Sequence, residues 1–221
     1  MAAQSQWHPS KNFGERKNAA KPSLIVLHYT AMTSTDAALQ RLCDPAHEVS
    51  AHYLISNEGY TWQLVAETRR AWHAGAGLWG DVSDVNSHSI GIELTNAGDH
   101  PFAAPQMLAL EILLRDVMER WSIPPQAVIA HSDFAIGRKR DPGPRFDWRR
   151  LAQQGLSVWP EPADAGNFFV DARAFGYRLP DCGQTAKAAF LQAFRSRFRP
   201  MAQGPLDAED ARLAAGLKKL A

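Results

Sequence analysis

The sequence predicts an α/β protein with a central mixed β-sheet flanked by helices, followed by a small three-helix C-terminal domain. Short apolar runs of strand length alternate with segments of helical periodicity over roughly the first two thirds of the chain. A Pro-, Gly- and Ala-rich segment then intervenes, and helical periodicity alone follows it. The interleaving also leaves an α+β arrangement of the same elements open.

The first elements are a buried strand, a short helix and a hairpin. The run LIVLH, Leu24 to His28, is apolar and too short for a helix, so we expect a strand covered on both faces. Ser34 or Thr35 is placed to cap a helix over DAALQRLC. HYLIS and YTWQLV flank Asn-Glu-Gly, whose Asn and Gly tolerate positive φ, and this pattern predicts two antiparallel strands.

The next elements are a strand, a long helix and a further strand. In SIGIEL, residues 89–94, alternation places the three aliphatic side chains on one face and Glu93 on the other. PQMLALEILLRDVMERW, residues 105–121, begins with proline and has a broad apolar stripe, which predicts a helix. AVIAH is then expected to be a strand that ends at His131 and continues into a turn-rich loop.

The C-terminal part has a different composition. VWPEPADAG, residues 158–166, is typical of a linker. Beyond it, FFVDARAFGY, QTAKAAFLQAFRSRF and DAEDARLAAGLKKL predict three short amphipathic helices, separated by Gly and Pro in RLPDCG and RPMAQGP.

Composition and charge exclude several classes of protein. With 24 Lys and Arg against 23 Asp and Glu, the net charge of +1 offers no basic field for a nucleic acid. Cys43 and Cys182 have no C-x-x-C spacing, which argues against a thiolate zinc site and a disulfide framework. No apolar leader and no transmembrane span is visible in the sequence. As the sequence stands we expect a cytoplasmic protein, or one of the periplasm or cell envelope if a leader was removed.

Two predicted strands end on a histidine, at His28 and His131, and Asp141 follows through a loop containing Gly137, Pro142, Gly143 and Pro144. Two imidazoles and a carboxylate are a ligand set of catalytic zinc sites, in which water takes the fourth position. On spacing alone, two ordinary partly buried histidines remain an alternative.

Two charged residues could assist a metal here. Lys139 precedes Asp141 by two residues, so in an extended loop both side chains point the same way and the ammonium could stabilise an oxyanion. Glu93 is a single carboxylate in a small and apolar strand, and could serve as the base if that strand neighbours the one carrying His28. The alternative for Lys139 is a charge in a solvated surface run, RKR. The alternative for Glu93 is a charge on a solvent-exposed face of the sheet.

Five motifs in this order carry a family resemblance: LIVLHYTAM, SAHYLIS, AWHAG, NSHSIGIELTN and AHSDFAIGRKRDPGPRFDW. Together they resemble the zinc N-acetylmuramoyl-L-alanine amidases of the amidase-2 group, to which peptidoglycan recognition proteins are also similar. The resemblance spans residues 23–148 and implies hydrolysis of the amide between the lactyl group of N-acetylmuramic acid, with the 1,6-anhydro form as one candidate, and L-alanine of the stem peptide. It implies peptidoglycan or its fragments as partner and Zn²⁺ as cofactor.

The resemblance also implies roles for individual residues. The positions that match zinc ligands are His28, His131 and Asp141. Glu93 matches the catalytic carboxylate that shuttles the proton, and Lys139 matches the lysine that stabilises the oxyanion. Residues in the groove motifs are candidates for substrate contact or for packing: Tyr29, Trp72, His73 and Asn86.

The resemblance further predicts a zinc amidase catalytic domain at residues 1–158. Separately, FGYRLP, AFLQAFRSRFRP and LDAEDARLAAGL resemble the three-helix peptidoglycan-binding module that some members carry, which predicts a helical peptidoglycan-binding-like domain at 167–221. A helical extension that packs on the catalytic domain is the alternative. A non-catalytic peptidoglycan recognition protein is the alternative function, although such relatives typically lack a zinc ligand and here all are present. A purely structural zinc site is disfavoured because those sites usually have a fourth protein ligand. Recycling of 1,6-anhydro-muropeptides and turnover of wall material both remain open.

Overall fold

The computed structural model describes residues 5–179 and 183–221. Cys182 and part of the predicted RLPDCG separator lie outside the described residues. No helix in the described ranges combines the length and apolar character that crossing a bilayer requires.

A six-stranded mixed sheet forms the centre of the molecule. The strands among the described residues are β1 (Gln6–Trp7), β2 (Phe13–Gly14), β3 (Leu24–Tyr29), β4 (Tyr53–Ile55), β5 (Thr61–Gln63), β6 (Arg70–Ala71), β7 (Ser89–Leu94) and β8 (Val128–Ala130). The sheet has the order β1-β5-β4-β7-β3-β8, in which only β4 and β5 pair antiparallel, while β2 and β6 form a separate antiparallel pair. The predicted mixed sheet and hairpin are confirmed.

Helices cover the sheet and follow it in the chain. Those among the described residues are α1 (Thr35–Cys43), α2 (Val85–His88), α3 (Ala104–Trp121), α4 (His131–Phe134), α5 (Trp148–Gln153), α6 (Phe168–Phe175), α7 (Gln184–Phe198) and α8 (Ala208–Lys218). Ser34 caps α1 by accepting a hydrogen bond from the Ala37 amide, as one of the two predicted caps.

The predicted end of the eighth strand is wrong by one residue, and the loop expected after it begins as a helix. β8 ends at Ala130, and His131 is the first residue of α4. A single helical turn is too short to show periodicity in the sequence, whereas the Gly and Pro residues that follow it predict a loop.

Apolar cores cover both faces of the sheet. On one face, α3 and α5 pack against Ile25 and Leu27 of β3 and the aliphatic side chains of β7. On the other face, Val26 of β3 belongs to the same cluster as aromatic residues of α6 and α7, among them Phe168 and Phe194. The C-terminal helices therefore share a core with the sheet.

Candidate active site

Three neighbouring parallel strands bring the candidate catalytic residues to one edge of the sheet. In the register of β3 and β7, His28 lies opposite Glu93. In the register of β3 and β8, Leu27 lies opposite Ala130, so His28 and His131 both follow that pair. Carboxyl ends of adjacent parallel strands are where open sheets commonly bind ligands.

The three candidate metal ligands converge on one point. His28 Nδ1, His131 Nδ1 and Asp141 Oδ2 are each 2.9 Å from the other two. All three residues are buried. The backbone fixes the loop that returns the carboxylate, because the Ser132 amide donates to the Asp141 carbonyl at 3.0 Å.

A chain of hydrogen bonds sets which nitrogen of His28 bears its proton. Ser89 Oγ donates to the Val85 carbonyl at 2.6 Å, so it accepts from His73 Nε2 at 3.2 Å. The His73 Nδ1 lone pair then accepts from His28 Nε2 at 3.0 Å. His28 Nδ1 is thereby left as a lone pair that faces Asp141.

His131 is oriented in the same sense by a backbone carbonyl. Its Nε2 donates to the Ala74 carbonyl at 2.8 Å, which leaves Nδ1 unprotonated. Burial, followed by the neighbouring His131, lowers the pKa of His28 to about 4, which favours the neutral form that binds metals.

This arrangement fits a zinc ion. Two imidazole lone pairs and a carboxylate oxygen repel one another at 2.9 Å unless a cation or a proton lies between them. Ligand atoms about 2.0–2.1 Å from a tetrahedral zinc are about 3.3 Å apart, close to the spacing seen here. The donor set and the hydrogen-bonded partners of both imidazoles are also those of zinc sites.

Glu93 lies beside these ligands. Its Oε2 is buried and has no hydrogen-bond partner among the described residues. Burial, followed by the negative charge of Asp141, raises the pKa of Glu93 to about 8, while the charge of Lys139 opposes the rise. A half-buried carboxyl with an unpaired oxygen and a raised pKa is suited to exchanging a proton near neutral pH.

One cavity of about 440 Å³ joins these groups. Eight of the nine candidate residues line it: His28, Tyr29, Trp72, His73, Glu93, His131, Lys139 and Asp141. Lys139 is exposed, so its ammonium is available to a ligand in the cavity.

Asn86 lies behind the cavity wall and is buried. Its Oδ1 accepts hydrogen bonds from the backbone amides of His73 at 3.0 Å and Ala74 at 2.8 Å. Asn86 therefore fixes the backbone of residues 73–74. The side chain of His73 contacts the His28 imidazole, and the carbonyl of Ala74 contacts the His131 imidazole.

Sequence reasoning missed two residues of the site, Ser89 and Gly91. Ser89 anchors the hydrogen-bond chain to His28, and a Cβ atom at Gly91 would lie 2.4 Å from the His73 ring. The alternation of β7 places both residues on the same face as Glu93. That shared face is the feature of the sequence that could have indicated a role for them in the site.

Comparison with known proteins agrees with the geometry. The model of the amidase-2 family, described as N-acetylmuramoyl-L-alanine amidase, matches residues 18–144. N-acetylmuramoyl-L-alanine amidase AmiD of Escherichia coli is 37% identical over 90% of this chain and 84% of its own length. The 1,6-anhydro-N-acetylmuramyl-L-alanine amidase AmpD of Haemophilus influenzae is 33% identical over 64% of this chain and 86% of its own length.

Solved structures are similar over nearly the whole chain. AmiD of E. coli in complex with anhydro-N-acetylmuramic acid-L-Ala-D-γ-Glu-L-Lys has a TM-score of 0.83 at 33% identity, covering 96% of this chain and 98% of that one. AmpDh3 of Pseudomonas aeruginosa in complex with an anhydromuramic pentapeptide has a TM-score of 0.83 at 30% identity, covering 100% of this chain and 98% of that one. The chain therefore belongs to the amidase-2 family and is an N-acetylmuramoyl-L-alanine amidase, an enzyme that cleaves the amide between N-acetylmuramic acid and L-alanine in muropeptides.

Proposed function

We propose that this amidase depends on zinc held by His28, His131 and Asp141, and that its substrates are 1,6-anhydro-muropeptides. The observation that carries the proposal is the convergence of three buried lone-pair donors, 2.9 Å apart, beside a carboxyl with an unpaired oxygen. When bound, zinc would act as a Lewis acid toward the scissile carbonyl and lower the pKa of a water molecule.

The residues around the ligands would then carry out the proton transfers. Glu93 would take a proton from the attacking water and deliver it to the leaving nitrogen of L-alanine, because its carboxyl lies beside the ligands with an unpaired oxygen. Lys139 would stabilise the oxyanion that develops on the carbonyl oxygen, because its ammonium lines the same cavity.

The four remaining candidates differ in their proposed roles. Tyr29 and Trp72 line the cavity and would contact the substrate. His73 also lines the cavity, but its hydrogen bond to His28 supports an orienting role as well. For Asn86 we propose support of the 73–74 backbone in place of contact with substrate.

The anhydro form of the substrate is proposed from two relatives. The structures of AmiD and AmpDh3 named above hold anhydromuramyl peptides. Intact peptidoglycan is the alternative substrate, and residues 167–221 stay a predicted peptidoglycan-binding-like domain, supported by their three helices. Preference for the small substrate would favour recycling in the cytoplasm, whereas preference for sacculi would favour wall turnover in the envelope.

The test of this function is a pair of parallel incubations with the zinc-loaded protein. One contains a monomeric anhydro-muropeptide and the other purified sacculi, with products followed by mass spectrometry. We expect about one zinc per chain and release of free stem peptide, faster from the anhydro-muropeptide. Faster release from sacculi would identify intact peptidoglycan as the preferred substrate, and full activity without bound zinc would refute the zinc assignment.

Replacing Lys139 with alanine is expected to lower kcat by about two to three orders of magnitude with a small change in KM, because the lost interaction forms in the transition state. Steady-state kinetics on the anhydro-muropeptide measure this. Arg145→Ala is the matched control, since it removes an exposed cation from the same loop at a position outside the cavity lining. A Lys139→Ala rate within a few-fold of wild type would assign Lys139 to the solvated surface.

A further inference from the structure

The helix that begins with His131 is fixed by Asp133, two residues further on. Asp133 is fully buried, and its Oδ2 accepts a hydrogen bond from the Ala130 amide at 2.9 Å. This contact joins the end of β8 to the first turn of α4. The direction in which His131 leaves the strand therefore depends on where the Asp133 carboxylate is held.

Two residues of the C-terminal helical segment hold that carboxylate. Tyr177, just after α6, donates its hydroxyl to Asp133 Oδ1 at 2.6 Å. Arg197, near the end of α7, donates from Nη1 to Asp133 Oδ2 at 2.6 Å. These contacts bridge 44 and 64 residues of sequence.

Arg197 also contacts the strand that precedes His131. Its Nη2 donates to the Val128 carbonyl at 3.0 Å and to Ser157 Oγ at 3.1 Å. The guanidinium carbon lies 4.1 Å from the centre of the Trp148 ring, and Arg197 is 2% exposed. Arg197, a residue of the C-terminal helices, thus contacts both ends of the Val128–Asp133 segment.

The position of the Asp133 carboxylate depends on its buried ion pair with Arg197. A buried carboxylate without its cation is strongly disfavoured, so loss of Arg197 would drive Asp133, and with it the first turn of α4, toward other partners or solvent. A metal site tolerates displacements of its ligands of only about 0.5 Å.

We propose that Arg197 and Tyr177 are positioning residues for His131, so that the C-terminal helical segment completes the metal site of this amidase. The inference rests on the proposed role of His131 as a zinc ligand. It assigns to residues beyond position 167 a part in the hydrolytic reaction that is separate from any binding of glycan.

The same helix provides a matched control. Arg195, two residues before Arg197, is also buried and pairs with the buried Asp210 through Nε at 3.0 Å from Oδ1. This pair joins α7 to α8. Among the described residues, the Arg195 side chain bonds to Gly204, Pro205, Asp207 and Asp210 and does not contact Asp133 or β8. Replacement of either arginine removes a buried ion pair of α7, but only one of the two pairs reaches α4.

The experiment compares Arg197→Met, Arg197→Lys, Tyr177→Phe and Arg195→Met in the full chain. Zinc affinity is measured by competition with a chelator, and the geometry of the site by the visible absorption bands of the Co²⁺-substituted protein. We expect Arg197→Met to lose about tenfold in zinc affinity and to change the Co²⁺ bands, and Arg197→Lys to recover part of the loss. We expect Tyr177→Phe to lose affinity by a few-fold and Arg195→Met to keep wild-type affinity and bands.

Wild-type zinc affinity and Co²⁺ bands in folded Arg197→Met would overturn the proposal, as would equal changes in Arg195→Met. If Arg197→Met does not fold, Tyr177→Phe decides, and an affinity within twofold of wild type with unchanged bands would refute the positioning role. The zinc assignment is judged separately, because wild-type protein that binds no zinc would refute the proposed metal site itself.

Discussion

Replacing His131 with alanine is expected to remove both the bound zinc and the amidase activity. The substitution leaves two of three donors, and it also removes the imidazole whose Nε2 holds the Ala74 carbonyl at 2.8 Å. Zinc content should fall from about one to below about 0.1 per chain after dialysis, with activity at the background of the assay. Metal analysis and product release on the same samples measure the two losses.

His88→Ala is the control for this substitution. His88 lies at the end of α2 and outside the group of side chains that could hold a metal among the described residues. It should retain zinc and activity, and circular dichroism should show that both variants are folded. Full zinc occupancy in His131→Ala would exclude His131 as a ligand and move the metal site elsewhere.

The resemblance carried by five motifs proposed the site residues, whereas the local pattern of a strand predicts only the face on which each side chain lies. Alternation in β3 puts His28 on the same face as Val26, and alternation in β7 puts Glu93 on the face opposite Ile92. Those patterns place side chains on faces, but they do not place strands beside one another. That β3 lies between β7 and β8 is decided by packing on both faces of the sheet.

Contacts between distant residues explain what the sequence did not reveal. The three C-terminal helices were predicted from apolar periodicity, which shows that each has a buried face but not what covers it. In the structure Phe168 and Phe194 pack in the same cluster as Val26. Asp133 and Arg197 form an ion pair although they lie 64 residues apart in the sequence. Neither residue stands out in its local sequence.

Replacing Glu93 with glutamine is expected to abolish nearly all turnover while the protein keeps its zinc. The amide preserves the shape of the side chain and leaves the three ligands intact, but it cannot accept and return a proton. We expect kcat to fall by at least about 10³-fold, within the range that general acid–base catalysis supplies. Glu58→Gln, the same change at an exposed position in the hairpin turn, should be neutral. An active Glu93→Gln enzyme would remove Glu93 from the mechanism.

Glu93→Gln is expected to impair turnover but to stabilise the metal-free protein. This stabilisation, seen when zinc is removed with a chelator, should depend on pH. The pKa of Glu93 rises from 4.5 to about 8 on folding, mainly because the carboxyl is buried. Between these values the unfolded chain ionises while the folded chain keeps its proton, so the contribution of Glu93 to stability is present below about pH 4.5 and is lost as the pH rises to about 8. Glutamine does not titrate. Between pH 5 and pH 8 the free energy of unfolding of metal-free Glu93→Gln should therefore rise relative to wild type by about a few kcal/mol, which corresponds to several degrees in Tm.

Thermal unfolding of both proteins across this pH range measures the gain. The difference in Tm between variant and wild type reports Glu93 and its coupling to Asp141 and Lys139, because all other titrating groups are common to the two proteins. A difference that does not change with pH would mean that Glu93 titrates at its ordinary pKa in the folded protein. Burial would then not be the factor that sets the pKa of Glu93 in the metal-free protein.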